Sequence, residues 1–224
     1  MDGEATAPRG TPTAAQRRLK LNPERTRQEI LRAARAEFAE YGLSGARVDR
    51  IGARAATAKR MIYYYFGSKE GLYRAVLEDV YAGIRITEAA LDLDHLPPEL
   101  AMGRLIDLTF DYDRTNIDFV RIIVGENMNA ARFLRKSEKI RALNTTILQT
   151  IDRILTRGLE TGVFTRKVAP LDLHFMISAL CFFRVSNQYT FSEIFGYDLA
   201  SEEVAERHKR MVRETILAYL RHVD

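Results

Sequence analysis

The chain has 224 residues, 46% hydrophobic and 29% charged, an ordinary globular composition with room for two small helical domains or one medium one. A single cysteine, Cys181, excludes an internal disulfide and a cysteine-based zinc site, and the longest apolar run, 175–183, falls far short of the roughly 18 residues that span a bilayer. The net charge of +4 is uneven: residues 1–70 hold 14 Lys and Arg against 8 Asp and Glu, so a polyanionic partner is expected at that end.

The first ten residues carry acids early and lack an apolar stretch, so no secretory leader is expected and a cytoplasmic protein is the default. Residues 1–21, rich in Ala, Thr, Pro and Arg without periodicity, read as a disordered basic tail: either a passive leader or an arm reaching DNA. Order is expected from Asn22-Pro23-Glu24, a capping residue, a first-turn proline and an acid at the positive end of the helix dipole. Ile30, Ala34 and Phe38 then form an apolar stripe, and Tyr41-Gly42 closes the helix. A short helix over 48–55 turns Val48, Ile51 and Ala55 inward. Thr57 is the expected cap of a third helix over 58–65, and Ser68 that of a fourth, buried along Leu72, Val76 and Val80. Further helices are predicted over 98–113, 117–129, 137–161, 171–193 and 201–221, each apolar on one side. The fold class is therefore all-α, a three-helix unit followed by a helical bundle, about nine helices in all. The division expected is 1–21, 22–70 and 71–224. Cys181, inside an apolar string, reads as a buried, inert thiol.

The chemistry concentrates in residues 48–70. Ile51, Ala55, Ile62 and Phe66 can pack two short helices across a tight turn, leaving Lys59, Arg60, Met61, Tyr63 and Tyr64 on an outward face. Three consecutive tyrosines, 63–65, cannot all point inward on one helix. Two cations beside phenolic hydroxyls suit a major groove, and Lys69 with the free amides of the next helix suits a phosphate. Here residues 24–80, and most specifically the string from Ile62 to Tyr73, resemble the tetracycline-repressor family of transcriptional regulators. The resemblance implies that Lys59, Arg60 and Met61 read base edges. It implies that Tyr63, Tyr64 and Lys69 contact the DNA backbone and that Arg47 and Val48 start the supporting helix. Two positions depart from the family pattern: Ala56 stands where the turn usually has Gly, and Arg47 where Thr usually caps. Ala at positive φ costs about 1 kcal/mol, too little to abolish the motif, and Arg47 gains a phosphate contact.

Past residue 90 the resemblance is softer and covers the ligand-sensing part. It implies a homodimer through the last two long helices, carrying Leu173, Ile177, Leu180, Val212, Ile216 and Tyr219, although the same residues also suit an ordinary intramolecular core. It also implies a pocket for an unidentified small-molecule effector, for which Arg121, Glu126, Asn127, Asn129, His174 and Asn187 are the polar candidates; each equally suits a structural role. The function implied is a repressor released from a palindromic operator by that effector. The alternative is an all-α small-molecule-binding protein or enzyme with no DNA role. Against it, the four histidines are scattered without metal-ligand spacing, and no phosphate loop or nucleophile elbow is present. Neither cofactor, metal nor membrane is expected.

Overall fold

The computed structural model describes residues 23–222. Among them are ten α-helices and no strand: α1 (Pro23–Gly45), α2 (Val48–Arg54), α3 (Lys59–Phe66), α4 (Lys69–Ala89), α5 (Pro98–Thr115), α6 (Ile117–Met128), α7 (Glu138–Glu160), α8 (Pro170–Ser186), α9 (Gln188–Phe195) and α10 (Glu202–Arg221). Single 3₁₀ turns at Leu93–His95 and Leu134–Lys136 join α4 to α5 and α6 to α7. The expected tail over 1–21 and the Asn22 cap lie outside the described residues.

Local chemistry accounts for most boundaries. Ile30, Ala34 and Phe38 are buried along one side of α1. The Ser68 hydroxyl accepts the Gly71 N–H (2.9 Å) to cap α4, and Leu72, Val76 and Val80 are fully buried. Cys181 is buried, and burial pushes its thiol up.

Three expectations need correction. Gly42 interrupts the helix where expected, but with φ +64° and ψ 177°, an extended glycine geometry and not the left-handed helical one, and the chain kinks there. One more turn runs to Gly45, closed by the Ala46 N–H on the Gly42 carbonyl (3.1 Å). Thr57 does not cap α3, because it lies one residue before the cap position, which Ala58 holds without a side-chain bond; the Thr57 N–H instead closes the turn on the Gly52 carbonyl (2.9 Å). The single helix over 171–193 is two, broken at Asn187. There the Asn187 Nδ2 donates to the Phe183 carbonyl (3.2 Å) and the Ser186 hydroxyl (2.8 Å), and these local bonds compete with helix continuation.

Two cores result. The first joins α1, α2, α3 and α4 to α6, packing Ile30, Phe38, Ile51, Ile62 and Val76 with Val120 and Ile122. The second lies between α5, α7, α8 and α10, around Phe110, Ile151, Ile177 and Ile216. Because α6 belongs to the first core, the N-terminal unit is packed directly onto the bundle. Arg35 on α1 reinforces that junction, donating to Asn116 Oδ1 (3.3 Å) and lying 4.0 Å from Asp118. Four residues expected at a subunit interface, Leu173, Ile177, Val212 and Ile216, are instead buried in this second core. Tyr219 packs partly against it, and Leu180 is exposed. The outward side of α8 is also apolar: Leu171, Phe175 and Phe183 are exposed on one stripe, with Met211 of α10. No described helix is long and apolar enough to cross a membrane.

Candidate nucleic-acid interface and cavity

The turn between α2 and α3 is tight because α2 ends against it. A Cβ added at Gly52 would lie 3.0 Å from the Thr57 carbonyl oxygen. Ala56 adopts φ +47° there, so this chain carries, on a residue with a Cβ, a left-handed strain of about 1 kcal/mol. Ile62 anchors α3 in the core, with Tyr65 and Phe66 packed partly against it. On the opposite side Lys59, Arg60, Tyr63 and Tyr64 are exposed, Tyr64 at 77%, and Met61 is half-buried. The Lys59 ammonium lies 6.0 Å from the centre of the Tyr63 ring, so cation and phenol share one surface. At the far end, Lys69 is half-buried and donates to the Ser44 carbonyl (3.3 Å). The first turn of α4 is locked against α3, since a Cβ at Gly71 would fall 2.1 Å from the Phe66 carbonyl oxygen.

At the start of the supporting helix one of the two residues is buried and the other paired. Val48 is only 7% exposed and packs in the first core, the inward placement its position on the helix predicts, so its side chain offers no contact surface. Arg47 is exposed but paired with Asp49 (2.7 Å), which raises the Arg47 pKa and lowers that of Asp49. What orients α2 is a residue that sequence reasoning missed, Glu37 of α1, with 0% of its surface exposed. Its Oε1 accepts the Arg47 N–H (3.0 Å) and the Arg50 Nε–H (2.7 Å), and Oε2 lies 3.6 Å from Arg54. One carboxylate thus caps α2 and collects two arginines, compensating its own desolvation. The signal was available: an acid one position before Phe38 lies beside the apolar stripe of α1 and not opposite it.

A cavity of about 650 Å³ opens between α4, α5, α6, α7 and α8. Tyr81, Phe119 and Phe182 supply ring surface, and Phe175 and Phe183 flank its open side. Of the six expected polar residues, only Asn127 and His174 line it. Burial and the nearby Arg85 charge lower the His174 pKa, favouring neutral imidazole. Glu126 is buried away from the cavity, accepting the N–H groups of Phe133 (2.7 Å) and Leu134 (2.8 Å) to fix the turn after α6. Asn129 donates to the Gly125 carbonyl (2.8 Å), and Asn187 ends α8. Arg121 is exposed and reaches the Tyr189 hydroxyl (3.3 Å) on another surface. These four are structural or peripheral because each finds a partner on its own or an adjacent element.

The buried charged groups that reach the cavity are ones the sequence did not single out. Arg85 and Glu88 lie on α4, 3.1 Å apart and both buried; Arg85 Nε and Nη1 have no hydrogen-bond partner among the described residues. Asp113 on α5 is 3% exposed, with no hydrogen bond or ion pair among the described residues. Burial raises the Glu88 carboxyl to about 7 against the opposing pull of Arg85, and burial alone raises Asp113 to about 7. Among the described residues, no group of three His, Cys, Asp or Glu side chains is arranged to hold a metal ion.

Comparison with known proteins adds to this geometry. Residues 30–76 match the family described as bacterial regulatory proteins, tetR family, and residues 98–216 the family described as tetracyclin repressor-like, C-terminal domain. The chain is 36% identical over 198 residues to the HTH-type transcriptional repressor NicS of Pseudomonas putida, covering 88% of this chain and 93% of that protein. It is 31% identical to the HTH-type transcriptional repressor SCO4008 of Streptomyces coelicolor over 161 residues, 71% of this chain and 78% of that one. Among solved structures, the putative transcriptional regulator SCO4942 of Streptomyces coelicolor superposes with a TM-score of 0.65 at 25% identity, covering 87% of this chain and 97% of that one.

Proposed function

The chain belongs to the tetR family of bacterial regulatory proteins and is a DNA-binding transcriptional regulator; from that premise we propose a homodimeric repressor that leaves a palindromic operator when a small molecule fills its cavity. In this reading residues 22–70 hold the DNA and residues 71–224 bind the effector and the second subunit. The observation that carries it is the α3 surface, where Lys59, Arg60, Tyr63 and Tyr64 are exposed on a helix whose other side is anchored by Ile62. Lys59 and Arg60, with Met61, read base edges; Tyr63, Tyr64 and Lys69 hold the backbone, and Arg47 reaches a phosphate by opening its surface pair with Asp49.

The outward stripe of α8, Leu171, Phe175 and Phe183, supports a dimer through α8 and α10. Three large apolar side chains at this spacing are more than a monomer ordinarily leaves in water. A second subunit there would also cover the open side of the cavity, which Phe175 and Phe183 flank. The lever is α4. Its first turn touches the end of α3 through Gly71, and Arg85, in the cavity wall, lies 14 residues on, roughly 21 Å along the helix. A ligand that shifts α4 changes the spacing of the two recognition helices, and so favours a state that no longer spans successive grooves.

The test is footprinting with Lys59→Ala/Arg60→Ala beside the wild type. The variant is expected to lose the protected palindrome while sedimenting as the same dimer. Wild-type affinity should fall by about 10³-fold or more between about 50 and 200 mM salt, as phosphate-bound counterions are displaced. An unchanged footprint in the double variant would remove α3 as the reading helix.

A further inference from the structure

Most buried polar groups in this protein have partners; Asp113 stands apart. It is 3% exposed, lines the cavity, and has no hydrogen bond or ion pair among the described residues. The other buried acids show what a protein does when a carboxylate serves only the fold. Glu37 collects two arginines and an amide, Glu126 two amides, and Glu88 has Arg85. The Asp113 carboxyl oxygens retain a small surface open to the cavity, so the carboxyl is placed to meet a partner from outside the chain. Around it the cavity offers the faces of Tyr81, Phe119 and Phe182, whose negative π surfaces favour a cation as well as an apolar body.

We propose that the cavity binds a nitrogenous organic cation, a ring-sized apolar body bearing one protonated nitrogen that pairs with Asp113 while the body packs on Tyr81, Phe119 and Phe182. This rests on the reading of the cavity as an effector site and adds the chemistry of the effector. The buried Arg85 does not reverse the preference once Glu88, 3.1 Å away, is ionised and offsets its charge, whereas no cation offsets Asp113. The titratable and charged groups facing the cavity are Tyr81, Arg85 and Glu88 from α4, Asp113 from α5, Arg141 from α7 and His174 from α8; α6 contributes none. Arg141 is exposed and donates to the Arg135 carbonyl (3.0 Å). Burial keeps Tyr81 protonated and His174 neutral. The groups that change near neutrality are therefore the two carboxyls, and a cation favours their ionised form.

The experiment uses the full-length protein and three probes of one shape: benzylammonium, benzyl alcohol and benzoate, followed by titration calorimetry. Benzylammonium is expected to bind at least tenfold tighter than either control. Its affinity should rise about tenfold per pH unit up to about pH 7 and then level, with net proton release that scales with buffer ionisation heat. Asp113→Asn, an isosteric change, should lose the tenfold preference and much of the pH dependence; Asp113→Leu provides a second variant, with melting to verify that each folds. Tighter binding of benzoate, unchanged preference in Asp113→Asn, or no binding of benzylammonium to the wild type would overturn the proposal. Operator affinity, measured with saturating benzylammonium, separates the two readings. Asp113-dependent binding with no loss of DNA affinity upholds the ligand class and removes the effector role. Operator release that survives Asp113→Asn does the reverse.

Discussion

Glu37 and Asp113 are the same kind of group in two different environments. Both are acids on apolar helix faces and both are almost wholly out of water. At the DNA-reading end Glu37 is surrounded by Arg50, Arg54 and the Arg47 amide, and the groups proposed to meet a partner, Lys59, Arg60, Tyr63 and Tyr64, stand outside in solvent. In the cavity the arrangement is inverted: the group proposed to meet a partner is inside, unpaired, in a wall that combines aromatic rings with the Arg85–Glu88 pair and His174. On these proposals a macromolecular polyanion is met by cations in water on a rigid helix, and a small molecule by a buried group left without a partner, where desolvation makes one charge pair count.

That contrast can be broken at several points. The largest effect is expected from Glu37→Ala, which removes the carboxylate that Arg50, Arg54 and the Arg47 amide share and leaves α2 without its cap; because both arginines stay partly in solvent, denaturant unfolding should show a loss of about 2–3 kcal/mol. Gly71→Ala would drive a Cβ into the Phe66 carbonyl and should cost about 1–3 kcal/mol while weakening operator binding, read by melting and by gel shift. A smaller effect is expected from the cavity acids. Their folded pKa values, about 7, lie above the ordinary carboxylate values, so their stabilising contribution is fully present below about pH 4 and is lost as pH rises through 7. The ligand-free protein should therefore melt lower at pH 8 than at pH 6, and Asp113→Asn should shrink the difference. The smallest effect is expected from Ala56→Gly, which relieves the φ of +47° and should raise stability by up to about 1 kcal/mol in unfolding curves, with operator affinity unchanged.

The N-terminal unit was the more legible half. Its helices are short, their turns carry Gly, Ser or Ala at definable positions, and one apolar residue per turn, Ile51, Ala55 or Ile62, points to a single inner side. Val48, which the same pattern turns inward, is buried as that pattern requires. The bundle was legible as helices but not as surfaces. Along α8 the stripe Leu173, Ile177, Cys181 is buried and the stripe Leu171, Phe175, Phe183 is exposed, yet both are apolar, so the 3.6-residue period cannot choose between them. The same ambiguity hid the break at Asn187, where two side-chain bonds outweigh continuous apolar sequence on both sides.

Composition, periodicity and the string from Ile62 to Tyr73 were thus enough to determine an all-helical regulator and which residues of α3 are exposed, because exposure on a short amphipathic helix follows from which side is apolar. Tertiary structure alone decided which polar groups are satisfied. Glu37 and Asp113 differ in no local feature of sequence that would make one a clamp and the other an orphan. The difference lies in what α2 brings to the first and what α4, α6 and α8 withhold from the second, and partners brought from distant helices have no signature in local order.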